Sequence, residues 1–412
     1  MKLGPLFCAL GAVSVGVLSA QAQFVWTDLN GTDSFSDGLN WLPTVPPTNG
    51  STLLFGVAGV PNVVLDENFS ASTITFDTFA YDITHFSGTL TITNGIVYSA
   101  LDTGTTFINV PISISSVISI LNTSLTGALE LEGVGGTGGF TLTGVGNTLL
   151  GGTNTYSGNT RVTSGTLADA SADALSPNSL YQVVSGGHLI VNANENVSGL
   201  SDNGGAGGTV AVASGAVLMM TGTASTTFSG VISGLGGVEK DGLGTFTLTG
   251  ANTYSGGTAI TGANLSVGDG ATVGARITGN VADAGTLTFA PALADGYTFA
   301  GTISGSGAVT FAGPGSITLS GPNAYLGMTS VNAGTLSDGV AGSFSPGSRM
   351  LVNSSGGSLA VNFNETVADL ENGGTGGPVS IASGAVLTSL GSVYGGDFKG
   401  AVSGAGKFSV SA

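Results

Sequence analysis

Thr245-Phe246-Thr247-Leu248-Thr249-Gly250-Ala251-Asn252-Thr253-Tyr254-Ser255-Gly256-Gly257-Thr258 decides how this chain folds. Its first five residues alternate polar and apolar with period two. That pattern gives a strand one face for a core and one for water. Gly250 then punctuates the run, and Gly256-Gly257 closes the unit, supplying tight corners. The same unit recurs from Ser316 to Thr329, as Ser-Ile-Thr-Leu-Ser-Gly-Pro-Asn-Ala-Tyr-Leu-Gly-Met-Thr. A third copy is split between Gly139–Gly144 and Asn154–Thr160.

A longer duplication encloses these units. Gly165-Thr166-Leu167 recurs as Gly334-Thr335-Leu336, and Ser176-Pro177 as Ser345-Pro346. Asn194-Glu195 recurs as Asn364-Glu365, and Ser214–Leu218 as Ser383–Leu387. The offset stays at 169 or 170, so a whole block was copied. Threonine, valine and isoleucine fill the strands, and no stretch after the leader carries a helical period. Tandem, inexact repeats with insertions at their corners favour a solenoid over a row of sandwiches, which would need linkers. The expected fold is all-β, a right-handed parallel β-helix. At the usual repeat length it has on the order of 16 coils, stacked into a rod of roughly 75 Å. Asn154, Tyr156, Asn252, Tyr254, Asn323 and Tyr325 are expected at equivalent structural corners, with the asparagines forming internal amide ladders.

The ends of the chain differ from its middle. Met1-Lys2, an apolar run from Leu6 to Leu18 and Ala20-Gln21-Ala22 match a secretory signal peptide. Residues 1–22 are therefore expected to be removed, taking the lone Cys8 with them. Residues 23–110 hold Trp26, Trp41 and the prolines Pro43, Pro46 and Pro47, and are expected to form an aromatic cap with the first coils. Residues 111–412 are expected to be glycine-rich β-helix, with duplicated blocks at 139–238 and 315–412.

Composition removes several functions. Seven Lys and Arg against 24 Asp and Glu, a net charge of −17, cannot build the basic patch that nucleic acid or an anionic membrane requires. No later segment has the length and hydropathy of a membrane-spanning helix. Apolar residues still make up 41% of the chain, enough to bury a core, which a disordered chain lacks.

The unit at Thr245–Thr258 resembles the autotransporter-associated β-strand repeat of bacterial surface proteins. The opening Trp26 … Asn40-Trp41-Leu42-Pro43, followed by Ile74-Thr75-Phe76, is similar to the start of large members of that family. The resemblance implies a β-helical passenger displayed at, or released from, the cell surface. Its partner would be an extracellular polysaccharide or another cell surface. Members often continue into a membrane barrel or a sorting tail; neither pattern is seen here, which leaves the mode of attachment open.

No catalytic, cofactor or metal signature emerges. Asp169 and Asp173 near Arg161, and the corner Glu239-Lys240-Asp241, read as solvated loop charges. In the second copy Arg161 becomes Ser330 and His188 becomes Ser358. His85 and His188 lie too far apart in sequence to suggest a triad or zinc site. Gly133-Val134-Gly135-Gly136-Thr137-Gly138 satisfies G-x-G-x-x-G, but no helix follows to hold a phosphate. The expected function is a structural or adhesive surface rod without catalysis. The alternative is a carbohydrate-active β-helix enzyme, which would need paired carboxylates in a cleft.

Overall fold

A computed structural model describes residues 23–56, 62–77, 80–85, 87–99, 103–374, 376–391 and 398–411. The expected signal peptide, with Cys8, lies outside the described residues.

The alternation in the repeat sets the architecture directly. Phe246 and Leu248 are fully buried, while Thr245 and Thr247 face outward. Each strand then lies parallel to its counterpart about 20 residues away in sequence. Phe246 sits in register with Leu265, Leu265 with Leu287, and Leu287 with Val309. All four are buried, so the core is a stack of like residues running through the molecule. Each such buried side chain contributes about 1.5–3 kcal/mol relative to exposure. The matching outer column is Thr227, Thr247, Ser266, Thr288, Thr310 and Ser330, polar throughout.

The chain winds as a parallel β-solenoid of about 16 coils. Three faces can be followed along it. The first runs through strands Ser51–Phe55, Leu90–Tyr98 and Phe140–Gly144 to Gly199–Ser201, and Thr226–Phe228 through Asp369–Gly373 carries it on. The second runs from Asn62–Leu65 to Val231–Gly234 and resumes at Gly296–Phe299, ending at Val402–Gly404. The third begins in earnest at Glu195–Val197, runs to Ala324–Tyr325, and resumes at Glu365–Val367. No α-helix occurs among the described residues; a short 3₁₀ turn spans Gly38–Asn40.

The corners require glycine for a measurable reason. At Gly234 and Gly305 the backbone has φ of 105° and 108°. A Cβ at either would lie 2.1 Å from a carbonyl oxygen of the coil before, Val212 O or Asp283 O. No side chain fits there, so coils can stack at full strand spacing only with glycine.

The N-terminal end is closed by aromatic packing. Strand Gln23–Trp26 pairs antiparallel with Trp41–Leu42, the one antiparallel pair among the named strands, and parallel with Ser51–Phe55. The rings of Trp26 and Trp41 meet edge to face at 5.1 Å, and Trp41 meets Phe35 and Phe55 at 5.1 and 5.8 Å. Trp41 Nε1 donates to Phe35 O at 2.8 Å. An antiparallel flap over the first coil covers a strand edge that would otherwise be open.

Candidate functional site

The repeated polar residues lie inside the solenoid as main-chain brackets. Asn154 is buried: its Oδ1 accepts from Val134 N at 2.7 Å, and its Nδ2 donates to Gly151 O and Ala174 O at 3.0 and 2.7 Å. Asn323 repeats this with Ile303 N, Gly321 O and Ser343 O. Asn252 does so with Ile232 N, Gly250 O and Arg276 O. One side chain thus ties its own coil to the coils before and after it. These contacts replace the expected amide ladder. The three asparagines are several coils apart, so none is within reach of another, and main-chain groups take their hydrogen bonds.

Two residues on, a tyrosine completes each corner. The hydroxyls of Tyr156, Tyr254 and Tyr325 pair with Thr160, Thr258 and Thr329 at 2.7–2.8 Å. Their carbonyls accept from the hydroxyls of Ser176, Thr278 and Ser345 in the next coil. Burial pushes the Tyr156 and Tyr325 phenols up to about 12, so they stay neutral donors.

The repeat does not always occupy the same face. The corners of Asn154 and Asn323 lie on the third face, between Val134 and Ala174 and between Ile303 and Ser343. The corner of Asn252 lies on the second, between Ile232 and Arg276. There it takes the place of a strand, which is why the second sheet stops at Gly234.

The acids in the duplicated block differ from the sequence expectation. Asp169, read as a solvated loop charge, is only 2% exposed. Its two oxygens accept from Asn192 N and Ala193 N at 2.6 and 2.8 Å. Asp338 does the same with Asn362 N and Phe363 N. Glu195 accepts from Ala174 N and Leu175 N, and Glu365 from Ser343 N and Phe344 N. Each carboxylate fastens an insertion loop to its neighbouring coil. Burial pushes both glutamates up to about 7, against the lowering effect of the two N–H bonds; nearby Asp169 and Asp173 add to the rise at Glu195, and Asp338 at Glu365.

Lys240, read from the sequence as a solvated charge, is buried as well. It is 3% exposed, and its ammonium donates to the carbonyls of Gly222, Asp241, Gly242 and Leu243. Period two turns it inward, in register with Met220 and Ile260, and its head finds the carbonyls of a tight turn. Burial holds its pKa below the ordinary lysine value. Asp283, in register with Ile260, is also buried; its Oδ1 accepts from Gly285 N, its Oδ2 has no partner, and burial pushes it up to about 6.

The remaining sequence candidates do not converge. Arg161 reaches Gln182 Oε1 at 3.4 Å, Asp173 is exposed, and His188 Nδ1 meets Thr209 Oγ1 at 2.6 Å on the outer surface. Among the described residues no three His, Cys, Asp or Glu side chains are grouped to hold a metal ion.

The passenger-associated-transport-repeat family matches residues 238–267 and 309–337, the segments that carry the Asn252 and Asn323 corners. The chain is an autotransporter-associated β-strand repeat protein. This β-strand repeat protein is 35% identical over 327 residues to the Adhesin BmaC autotransporter of Brucella suis biovar 1 (strain 1330). The similarity covers 71% of the chain and 9% of that relative, so the chain spans a small part of the relative's length. No solved structure matches it.

Proposed function

We propose that the chain works as a rigid, adhesin-like passenger segment, exported through its N-terminal leader and presented at the cell surface or released from it. Likeness to an autotransporter adhesin supports this reading, and the polar outer column from Thr227 to Thr310 carries it. That column offers hydroxyls at the strand spacing of about 4.8 Å along a continuous face, suited to many weak contacts with an extracellular polysaccharide or a second surface. The function proposed is non-catalytic. Both oxygens of Asp169, Asp338, Glu195 and Glu365 are already engaged by main-chain N–H groups, which supports a loop-fastening role for them.

The deciding experiment fractionates producing cells and measures the intact mass and location of the product. It then assays binding to immobilised cell-surface glycans, with release of reducing ends followed in parallel. Surface or medium localisation with retention on glycan and no bond cleavage is the expected result. A cytoplasmic product, or turnover lost on changing Asp169, would overturn the proposal.

A further inference from the structure

The second face is interrupted between Val231–Gly234 and Gly296–Phe299. Strand Gly296–Phe299 is the terminal strand of its sheet, bonded on one side to Ser316–Leu319. On the other side the chain from Arg276 to Gly279 passes without forming a strand. The two segments meet through the Tyr297 hydroxyl, which donates to Ile277 O at 2.5 Å and accepts from Ile277 N at 3.2 Å. Between them lies a cavity of about 440 Å³, lined by Arg276, Thr278, Gly279, Gly296, Tyr297 and Thr298 among others.

The ladder on the bonded side fixes what faces this cavity. Ser316 N donates to Asp295 O, and Ser320 N to Phe299 O. In a parallel pair, alternate residues turn both main-chain groups to the same neighbour. Asp295, Tyr297 and Phe299 therefore turn theirs to Ser316–Leu319, while Gly296 and Thr298 turn theirs to the open side. An open edge is a template for another strand.

Arg276 stands at the mouth of this edge. It is exposed, and its Nε donates to Gly274 O at 3.1 Å. Its terminal nitrogens pair with no acid; among the described residues the ion pair is that of Arg349 with Glu371. The guanidinium thus stands beside the open edge on a chain with a net charge of −17. Its planar fork suits a carboxylate.

We propose that this edge is a docking site for an extended acidic peptide segment. The peptide adds a strand beside Gly296–Phe299, its main chain pairing with Gly296 and Thr298 and one carboxylate held by Arg276. Strand addition supplies affinity through the main chain and selectivity through the side chain. The proposal stands apart from the display reading, since it needs only the folded chain.

Fluorescence anisotropy of the full chain tests it, using labelled seven-residue peptides of alternating valine or threonine with one, two or three glutamates. Saturable binding is expected, strengthening with glutamate content and weakening with salt. Arg276→Glu should lower the affinity at least about tenfold, and Arg276→Lys less, with unchanged circular dichroism. A peptide N-methylated at alternate amides should not bind. The proposal is overturned if no peptide in the series saturates, if Arg276→Glu binds as well as the parent, or if the N-methylated peptide does. Equal displacement by a short polyuronate would also overturn it, because charge without a strand would then suffice.

Discussion

The two copies of the duplicated block keep the same buried polar brackets and differ most on the outside. Asp169 and Asp338, Glu195 and Glu365, and Asn154 and Asn323 make matching bonds to matching main-chain groups. Arg161 and His188, by contrast, face outward where the second copy has Ser330 and Ser358. Buried side chains do change between the copies: Ala174 and Leu175 correspond to Ser343 and Phe344, and Met220 to Ser389. Tyr181, whose hydroxyl meets Tyr156 and accepts from Ser176 N, corresponds to Met350. Copying a coil thus demands that buried polar groups stay matched, because an unmatched one costs about 1–3 kcal/mol, while the surface is free to drift.

The asparagine brackets offer the strongest way to break this equivalence. Asn154→Ala strips Val134 N–H and the Gly151 and Ala174 carbonyls of their partner, and should cost about 3 kcal/mol in denaturant unfolding. Asn323→Ala should cost the same to within about 1 kcal/mol; a large difference would show that the copies carry unequal loads.

The glutamates come next, and they sharpen the comparison through pH. Each holds its proton more tightly in the folded chain, at about 7, than at its ordinary value of 4.5. The stability this gives is complete below the ordinary value and is lost as pH rises through about 7. Thermal melting should therefore fall between about pH 5 and about pH 8, with Asp283 adding a smaller change of the same sign. The double change Glu195→Gln and Glu365→Gln should flatten that slope. The two glutamates, both raised to about 7, should carry similar parts.

A smaller effect is expected at Tyr181. Tyr181→Phe leaves Ser176 N–H without its acceptor and should cost about 1–2 kcal/mol, whereas Met350→Leu should cost less than about 1.5 kcal/mol. At the weak end, Arg161→Ser and His188→Ser, which convert the first copy's surface into the second's, should stay within about 0.5 kcal/mol.

The fold was legible because Thr-Phe-Thr-Leu-Thr has a strand period and recurs, and a stack of such strands needs nothing more than like residues at like positions. At Asn154, Asn252 and Asn323 the repetition was legible, but it hid that Asn252 lies on the second face and the other two on the third. Their chemistry was not legible: a solenoid's coil length decides whether two asparagines meet each other or the backbone, and spacing in a repeat with insertions hides that length. Asp169 and Lys240 misled because charge in a glycine-rich stretch suggests solvent. The retained pairs Asp169 with Asp338 and Glu195 with Glu365 were the signal that these acids are buried, since surface charges such as Arg161 did not survive the copying. The open edge at Gly296–Phe299 left no such trace, because it arises from an irregular segment in the coil before.

The direction of the main-chain ladders has a mechanical consequence. Strands lie across the rod, so the bonds between coils lie along it. Tension applied end to end loads those ladders in series and peels coils from the ends instead of shearing whole sheets. Each freed coil of about 20 residues pays out roughly 65 Å of slack. Single-molecule stretching should show a sawtooth of that step, with pauses where Asn154, Asn252 and Asn323 bind three coils together. Such a rod would act as a shock absorber, giving way coil by coil under load.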